Sequence, residues 1–329
     1  MKARKELSVS SLSTFLNCPR KFFYSHEKRW KPIVEAEQLT FGKAWHGLLE
    51  AWGKEGECFK DTLCNYLDLH EHEFVQTMKT DTFAMFIAMA WSLDVQIAGI
   101  GKITNTEMGF DFRLPQSHWH IIGFVDAINA DGHPIEYKTT SSDIEQDAFY
   151  WLRLKANLQA ITYALAMDAD RVRYVVFRKP RLSRKQVPLL DDDGNKIVTH
   201  LESGERAYNK NGTPRQSAGD GYKMETRTET DDEFIARMRD DLTATPFVVT
   251  REVAVSDEDK ATVLSAFTSS VKQIELLRKR SLKDTREDTA WARNCTEFNC
   301  KNCPYQGICL DVNYNPAHGV PQGFEEVIK

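Results

Sequence analysis

The sequence predicts an α/β fold in which a central sheet is flanked by helices. Two apolar segments, Ile121 to Ile128 and Ile135 to Tyr137, flank the dipeptide Asp131-Gly132, whose tolerance of positive φ is a hairpin signal. Phe149 to Met167 then has the apolar spacing of a long helix, and Arg171 to Phe177 has the composition of a buried strand. A hairpin followed by a helix and a strand is the succession found in α/β cores.

Length and composition are those of a globular chain without a strong positive field. The 329 residues allow one large or two ordinary domains, and 41% hydrophobic and 28% charged residues are typical of a soluble protein. Because 43 basic and 48 acidic residues give a net charge of −5, any surface for nucleic acid must be local. The longest apolar run, Phe83 to Trp91, is too short to span a bilayer, and the first residues lack the apolar segment of a signal peptide. We therefore expect a cytoplasmic protein with no membrane contact.

The first 100 residues are expected to be mostly helical. Ser8 to Ser13 offers N-caps for a first helix. From Phe41 onward an amphipathic helix is predicted, with His46 and Glu50 one turn apart beside its apolar face. A β region that begins near Ile103 then opens the core, which we place at residues 101–180.

Three segments follow the core. Residues 181–230 are charged, Gly-rich and without periodicity, which favours an extended hairpin or a mobile insertion. Residues 231–290 should supply the remaining core elements: a helix over Asp231 to Leu242, a strand over Phe247 to Val255, and a long helix over Asp257 to Arg280 capped by Ser256. Residues 291–329 form a cysteine-rich segment.

The predicted hairpin carries three charged side chains between apolar neighbours. Asp126 lies on its first strand, and Glu136 and Lys138 lie two residues apart, hence on one face, of its second strand. Charges at a strand centre must be paired, bind an ion or be used in chemistry. A structural salt bridge between Glu136 and Lys138 is the simplest alternative. Two carboxylates on adjacent strands would also anchor Mg²⁺, which prefers oxygen ligands, with the lysine beside it to stabilise developing charge.

Four cysteines are concentrated near the C-terminus, and a fifth stands near the start. Cys300, Cys303 and Cys309 fall within ten residues, a density that favours a metal centre over buried thiols or disulfides in a reducing compartment. Sulfur ligation leaves zinc or an iron–sulfur cluster. If zinc is bound, Cys295 completes a local four-cysteine site, and Cys18 is incidental.

Four motifs together resemble the PD-(D/E)xK nuclease superfamily, and in particular its RecB-like branch. They are Trp-His46-Gly-Leu-Leu-Glu, Gly-Phe-Val-Asp126, Ile-Glu136-Tyr-Lys138-Thr-Thr and Gln159-Ala-Ile-Thr-Tyr163. One departure is that Val125 stands before Asp126, where the family's name has a proline.

The resemblance implies a restriction-endonuclease-like fold with a central mixed sheet, and it implies roles for the motif residues. His46, Asp126 and Glu136 would be ligands of Mg²⁺ or Mn²⁺, with the main-chain carbonyl of Tyr137 adding another oxygen. Lys138 would act in catalysis with Asp126 and Glu136. The remaining pair, the family's Q-x-x-x-Y element, would support the site and contact DNA: Gln159 and Tyr163.

The resemblance also supplies a different set of cysteine ligands. RecB-like nucleases that include the CRISPR-associated DNA exonucleases and the helicase–nuclease subunits carry one cysteine near the N-terminus and a C-x₂-C-x₅-C group after the core, and these hold a [4Fe-4S] cluster. Here Cys18, Cys300, Cys303 and Cys309 match that pattern, and Cys295 is the spare. The implied arrangement is an iron–sulfur subdomain formed by the N- and C-terminal regions.

The expected function is therefore a metal-dependent DNA exonuclease of recombination, repair, phage replication or CRISPR adaptation. A non-catalytic DNA-binding or scaffold subunit is the alternative. DNA is the expected partner, and Arg171 to Lys185, with seven cationic residues and no acidic one, offers local phosphate contacts. Because the sequence has no P-loop motif, ATP-driven unwinding would need a helicase or recombination partner.

Overall fold

The computed structural model contains both helices and strands and describes residues 5–55, 58–145, 149–245, 247–284 and 286–327. Residues 1–4, which were part of the argument against a signal peptide, lie outside these ranges. The helices are α1 (Val9–Asn17), α2 (Pro19–Phe22), α3 (Glu37–Glu55), α4 (Phe59–Thr77), α5 (Thr80–Gln96), α6 (Phe149–Lys155), α7 (Leu158–Ala166), α8 (Asp231–Ala244), α9 (Asp257–Ser281), α10 (Glu297–Lys301) and α11 (Gln306–Leu310). The strands are β1 (Glu6–Ser8), β2 (Trp30–Pro32), β3 (Ile103–Arg113), β4 (His120–Asn129), β5 (Pro134–Thr140), β6 (Arg171–Arg178), β7 (Gln186–Pro188), β8 (Val198–His200), β9 (Tyr222–Met224), β10 (Thr226–Thr228), β11 (Val248–Ala254) and β12 (Phe324–Glu326).

A six-stranded mixed sheet organises the fold. Its order is β1-β4-β5-β6-β11, and β3 also pairs with β4. The β1/β4 and β5/β6 pairs are parallel, whereas β3/β4, β4/β5 and β6/β11 are antiparallel. The predicted α/β class and the central mixed sheet flanked by helices are confirmed.

Strand β6 shows why its sequence is almost continuously apolar. Val172, Tyr174 and Val176 join one hydrophobic core together with Phe267 of α9. On the opposite face, Phe177 packs edge-on against Trp45 of α3, with ring centroids 5.1 Å apart. A strand that is covered on both faces has no solvent side, and so it loses the alternation of a half-exposed strand.

The single helix predicted over Phe149 to Met167 is instead two helices, α6 and α7. The backbone leaves the helical conformation at Asn157, whose side chain accepts hydrogen bonds from the backbone N–H groups of Gln159 and Ala160. An asparagine is a strong N-cap, so it starts a new helix where apolar spacing alone would continue the old one. The new helix begins next to Gln159.

The described chain divides into two compact units. The first comprises Met1–Glu71, Gln96–Arg178 and Val248–Lys329, and the second comprises His72–Val95 and Lys179–Phe247. The second unit contains the antiparallel pairs β7/β10 and β8/β9. Its small apolar cluster consists of Ala84, Ala88, Phe234 and Met238.

Within the described residues, one helical stretch is long and apolar enough to cross a bilayer by length and composition alone. It is Thr80–Ile100, and 44% of its apolar window is buried. A helix in a protein core passes the same test.

Candidate active site

One edge of strand β4 pairs with two different strands, β1 and β5. Strand β3 pairs along the whole of β4, so the opposite edge carries β1 beside His120 to Ile122 and β5 beside Ala127 and Ile128. Between these two ladders, β4 has no strand partner on this edge among the described strands. Asp126 lies at this opening, where β5 leaves β4.

The hairpin turn fixes the register of the two charged strands. Gly132 has φ of +82°, and the side chain of Asn129 accepts hydrogen bonds from the backbone N–H groups of Asp131 and His133. Ala127 pairs with Ile135, so the next position along places Asp126 opposite Glu136. A slip by one residue would have moved the aspartate to the other face.

Asp126 and Glu136 lie close together but in different environments. The backbone N–H of Tyr137 donates to Oδ2 of Asp126 over 2.9 Å. Glu136 is fully buried, and neither of its carboxylate oxygens has a hydrogen-bond partner among the described residues, although Oε1 forms an ion pair with Lys138. Burial, and then the charge of Asp126, raise the pKa of Glu136 to about 7 against the opposing charge of Lys138.

Glu136 is a buried carboxylate whose Oε1 pairs with Lys138 and whose Oε2 has no hydrogen-bond partner among the described residues. Together with the second carboxylate, Asp126, it is a donor set that a hard divalent cation would take. Its Oε2 lacks the hydrogen bonds that buried polar groups normally make. A bound Mg²⁺ or Mn²⁺ would supply the missing partner and neutralise the repulsion from Asp126. The residues present at the opening therefore fit such an ion.

Lys138 is positioned by the start of α7. Its Nζ donates to Oε1 of Gln159 over 3.1 Å, and Nε2 of Gln159 in turn donates to the hydroxyl of Tyr163 over 2.7 Å. Burial, followed by the charges of Glu136 and Asp126, raises the pKa of Tyr163, so its phenol stays protonated. The lysine is thus held between Glu136 and a neutral amide–phenol pair.

His46 reaches the same opening from α3. Its Nδ1 lies 3.6 Å from Oδ1 of Asp126, and its ring meets that of Tyr137 edge-on at 6.1 Å. Burial disfavours its charged form, but the hydrogen bond and charge of Asp126 outweigh this effect and raise the pKa of His46. The N–H and C=O of a strand residue point to the same edge, so the carbonyl of Tyr137 also faces Asp126.

A further carboxylate, which the sequence analysis did not single out, lies across from Asp126. Thr106 pairs with Ala127 and Met108 with Val125, which puts the intervening Glu107 opposite Asp126. Its φ of +47° is unusual for a non-glycine residue. Burial, then the charges of Asp126 and Glu50, raise the pKa of Glu107. Only the β3/β4 register, which sequence periodicity does not give, could have pointed to it.

The structure therefore brings all the predicted site residues of the hairpin and its flanking helices into one region. The members, which join strands β4 and β5 to helices α3 and α7, are His46, Asp126, Glu136, Tyr137, Lys138, Gln159 and Tyr163.

A second cavity is lined by cysteines from both ends of the chain. Lys21 and Arg293 are also at its wall, and they place positive charge near the sulfurs. Burial raises the pKa of the thiols of Cys300 and Cys309, so a metal would have to displace protons on binding. The cysteines that line it are Cys18, Cys295, Cys300, Cys303 and Cys309.

A buried ionic network joins the same two ends beside this cavity. Asp288 is fully buried; its Oδ2 accepts hydrogen bonds from Arg20 over 2.7 Å and from Tyr24 over 2.6 Å, and its Oδ1 accepts one from Arg286 over 2.8 Å. Arg20 also donates to the carbonyl of Trp291. These contacts hold the segment after Cys18 against the C-terminal region.

The cysteine arrangement and the carboxylate arrangement both stop short of a formed metal site. Within the described ranges, no group of three or more His, Cys, Asp or Glu side chains is arranged so that it could hold a metal ion. The cysteines line one cavity but are not arranged as the ligands of a single metal ion. Because both Cys18 and Cys295 line the cavity, the zinc ligand set and the cluster ligand set predicted from sequence are both compatible with its lining.

Comparison with known proteins identifies the class. The family model of the PD-(D/E)XK nuclease superfamily matches residues 6–310, and the chain belongs to this superfamily. Its members commonly use Mg²⁺ or Mn²⁺, and membership points to hydrolysis of nucleic acid. No curated protein sequence matches the chain. A solved structure titled "Crystal structure of SSO0001" is similar, with 13% identity and a TM-score of 0.37 over 94% of this chain and 88% of that one.

Proposed function

We propose that the protein is a metal-dependent DNA exonuclease of the RecB-like branch, acting in recombination, repair, phage replication or CRISPR adaptation. The observation that carries this proposal is the meeting of Asp126, Glu136 and Lys138 at the opening of β4, with Oε1 of Glu136 paired to Lys138 and Oε2 without a hydrogen-bond partner among the described residues. The motif resemblance supports the exonuclease branch, and a helicase or recombination protein is the expected partner.

The residues divide the work of phosphodiester hydrolysis between binding and charge stabilisation. Asp126 and Glu136, with His46 and the carbonyl of Tyr137, would hold Mg²⁺ or Mn²⁺. When bound, the cation lowers the pKa of its water and offsets charge on the scissile phosphate. Lys138 would orient the attacking water or stabilise the developing negative charge from the side of Gln159.

The test is incubation of end-labelled linear DNA, single- and double-stranded, with Mg²⁺ or Mn²⁺. We expect release of labelled nucleotides that requires the metal, and a fall of about 10²- to 10³-fold with Lys138→Ala, by analogy with removal of one charge-stabilising donor. Closed circular DNA, which offers no end, should survive. Equal loss of DNA with the Lys138→Ala protein would contradict the enzyme and leave a DNA-binding or scaffold subunit.

We further propose that the cysteine cavity holds a [4Fe-4S] cluster through Cys18, Cys300, Cys303 and Cys309. The shared lining from both chain ends and the matching spacing support it. Anaerobically purified protein should be brown and contain about four irons per chain. Cys18→Ser should remove the iron, whereas Cys295→Ser should retain it. Colourless protein with stoichiometric zinc, insensitive to Cys18→Ser, would identify the local zinc site instead.

A further inference from the structure

An open groove continues from the candidate active site along the unpaired edge of β4. Its volume is about 810 Å³, within the range of about 300–1,000 Å³ typical of ligand sites. The starts of helices α1 and α7 and parts of strands β3 and β4 form its walls. Gln159 and Tyr163 line the groove and also position Lys138, so the groove and the reaction site are continuous.

Phe124 is exposed in this groove although it lies in the middle of a sheet strand. Its side chain is 62% exposed, whereas Ile121 and Val125 on the same strand are fully buried. It precedes Asp126 by two residues, so the two side chains share one face of β4. The exposed ring of Phe124 lies in the same groove as Gln159 and Tyr163, which position Lys138, so it is available to stack on a ligand next to the reaction site.

The strand opposite is shaped to leave the ring uncovered. Phe124 pairs with Gly109, where an added Cβ would come within 3.3 Å of Cε1 of the ring. With glycine at that position, the ring lies next to bare backbone, and its other side is open to the groove.

The groove wall suits a base and sugar better than a phosphate. Its lining residues include hydroxyl and amide side chains, such as Ser10 and Asn157, but no lysine or arginine among those described. The acidic residue in the wall, Asp111, is already in contact with His120 at 2.6 Å. Stacking of a base on an aromatic ring needs no charge and accepts any base.

We propose that Phe124 is the stacking platform for the base of a nucleotide next to the scissile phosphate, in a single DNA strand that lies along this groove. The inference rests on the proposed nuclease function and adds how that site holds its substrate. The strand runs from the groove past Gln159 to Lys138, and Phe124 sets the position of the phosphate through the base that stacks on it.

The test uses fluorescence anisotropy with labelled single-stranded DNA, in protein that carries Lys138→Ala, which slows cleavage, and without added divalent metal, so that the DNA stays intact. Phe124→Ala should weaken binding by about 5- to 100-fold, the effect of losing one stacked base, whereas Phe124→Trp should retain binding. Phe298→Ala is the matched control, because Phe298 is 90% exposed and does not line the groove. It should bind as the parent protein does.

A second arm locates the base. An abasic residue is placed at successive positions of the strand, and each DNA is measured with and without Phe124→Ala. At one position the abasic DNA should bind equally to both proteins, since the stacking partner is already missing. A constant effect of Phe124→Ala at all positions, or no effect at any, overturns the inference. Normal cleavage by the unmodified enzyme in that event leaves the proposed nuclease function standing.

Discussion

The residues of the carboxylate site and those of the cysteine cavity are held in place by different kinds of structure. Asp126 and Glu136 are placed by strand ladders and a hairpin turn, so their positions follow from the backbone hydrogen bonds of the sheet. Cys300 and Cys309 lie on two helices of five residues each, α10 and α11, whereas Cys295 and Cys303 lie outside these helices and Cys18 lies at the junction of α1 and α2. Among the described residues, no strand ladder holds these cysteines.

The difference concerns what each site relies on for its structure. Strand ladders and the hairpin turn place the two carboxylates close together, and burial and the charge of Asp126 raise the pKa of Glu136. Short helices are marginal by themselves, so we expect the cysteine region to rely on the network around Asp288 and on the metal proposed above. Burial opposes the charge of Asp288, but hydrogen bonds from Arg286 and Tyr24 and the charge of Arg20 outweigh it and lower its pKa.

The largest effect is expected from Asp288→Asn. This change leaves the buried guanidinium of Arg20 without its anion, and breaking a buried ion pair typically costs about 3–5 kcal/mol. Urea unfolding should show that loss in the free energy of unfolding. Asp257→Asn is the control, since its side chain is fully exposed, and it should change stability by less than about 0.5 kcal/mol. Equal stability of the two variants would mean that the network does not hold the chain ends together.

In the carboxylate site, Glu136→Gln should lower cleavage but raise the stability of the metal-free protein. Cleavage should fall by about 10²-fold or more, because a neutral amide neither balances the cation nor offsets the scissile phosphate. In the metal-free protein at pH 8, however, the variant should be the more stable one. It removes a buried negative charge that faces Asp126, and the raised pKa of Glu136 shows that the ion pair with Lys138 does not offset this burial and repulsion. Denaturation in the presence of a chelator measures this gain.

Comparison of the unmodified protein with Glu136→Gln also predicts how the difference in stability between them depends on pH. The folded-state pKa of Glu136, about 7, is above the ordinary value of 4.5. The folded protein therefore holds this proton more tightly than the unfolded chain, and the contribution of Glu136 to stability is lost as pH rises from about 4.5 through 7. The advantage of Glu136→Gln should grow over that interval and stay constant above it. An advantage that does not change between pH 5 and pH 8 would contradict a raised pKa.

The sequence indicated that the carboxylate residues lie close together because its signals are local. The Asp131-Gly132 turn and the alternation of the two strands lie within about twenty residues, and the motif order supplied the helices on either side. Glu107 was missed because its place opposite Asp126 depends on the register between strands β3 and β4, which alternation within each strand does not give. The break between α6 and α7 was missed because apolar spacing continued across Asn157 and hid the cap.

The cysteine cavity was predicted less completely. Spacing indicated that Cys300, Cys303 and Cys309 belong together, and the resemblance added Cys18. Cys295, which is the fourth ligand in the zinc alternative and the spare cysteine in the cluster alternative, lies at the same wall as Cys18, so the lining does not separate the two alternatives. The Asp288 network could not be read from sequence, since its partners lie up to 268 residues apart.

The smallest effect on cleavage is expected from changes to Gln159 and Tyr163, the two residues of α7 that position Lys138. Gln159→Leu removes the acceptor that Lys138 uses and leaves the ammonium to Glu136 alone, so cleavage should fall by about tenfold, the equivalent of one hydrogen bond to a charged group. Tyr163→Phe keeps that acceptor and removes only the contact of the phenol with Gln159, which is worth about 1 kcal/mol, or about fivefold.

The double variant decides whether the two residues act as one unit. If Tyr163 works only by orienting the amide of Gln159, then Tyr163→Phe should have no further effect on cleavage in the Gln159→Leu protein. Additive losses would mean that the phenol acts on Glu136 or on the substrate independently. Because Tyr163 lines the groove together with Phe124, binding of single-stranded DNA should be measured with each variant. If cleavage falls while binding of single-stranded DNA is unchanged, Gln159 and Tyr163 act by positioning Lys138. The carboxylate site is then placed by the strands of the sheet, and the position of its lysine is adjusted by helix α7.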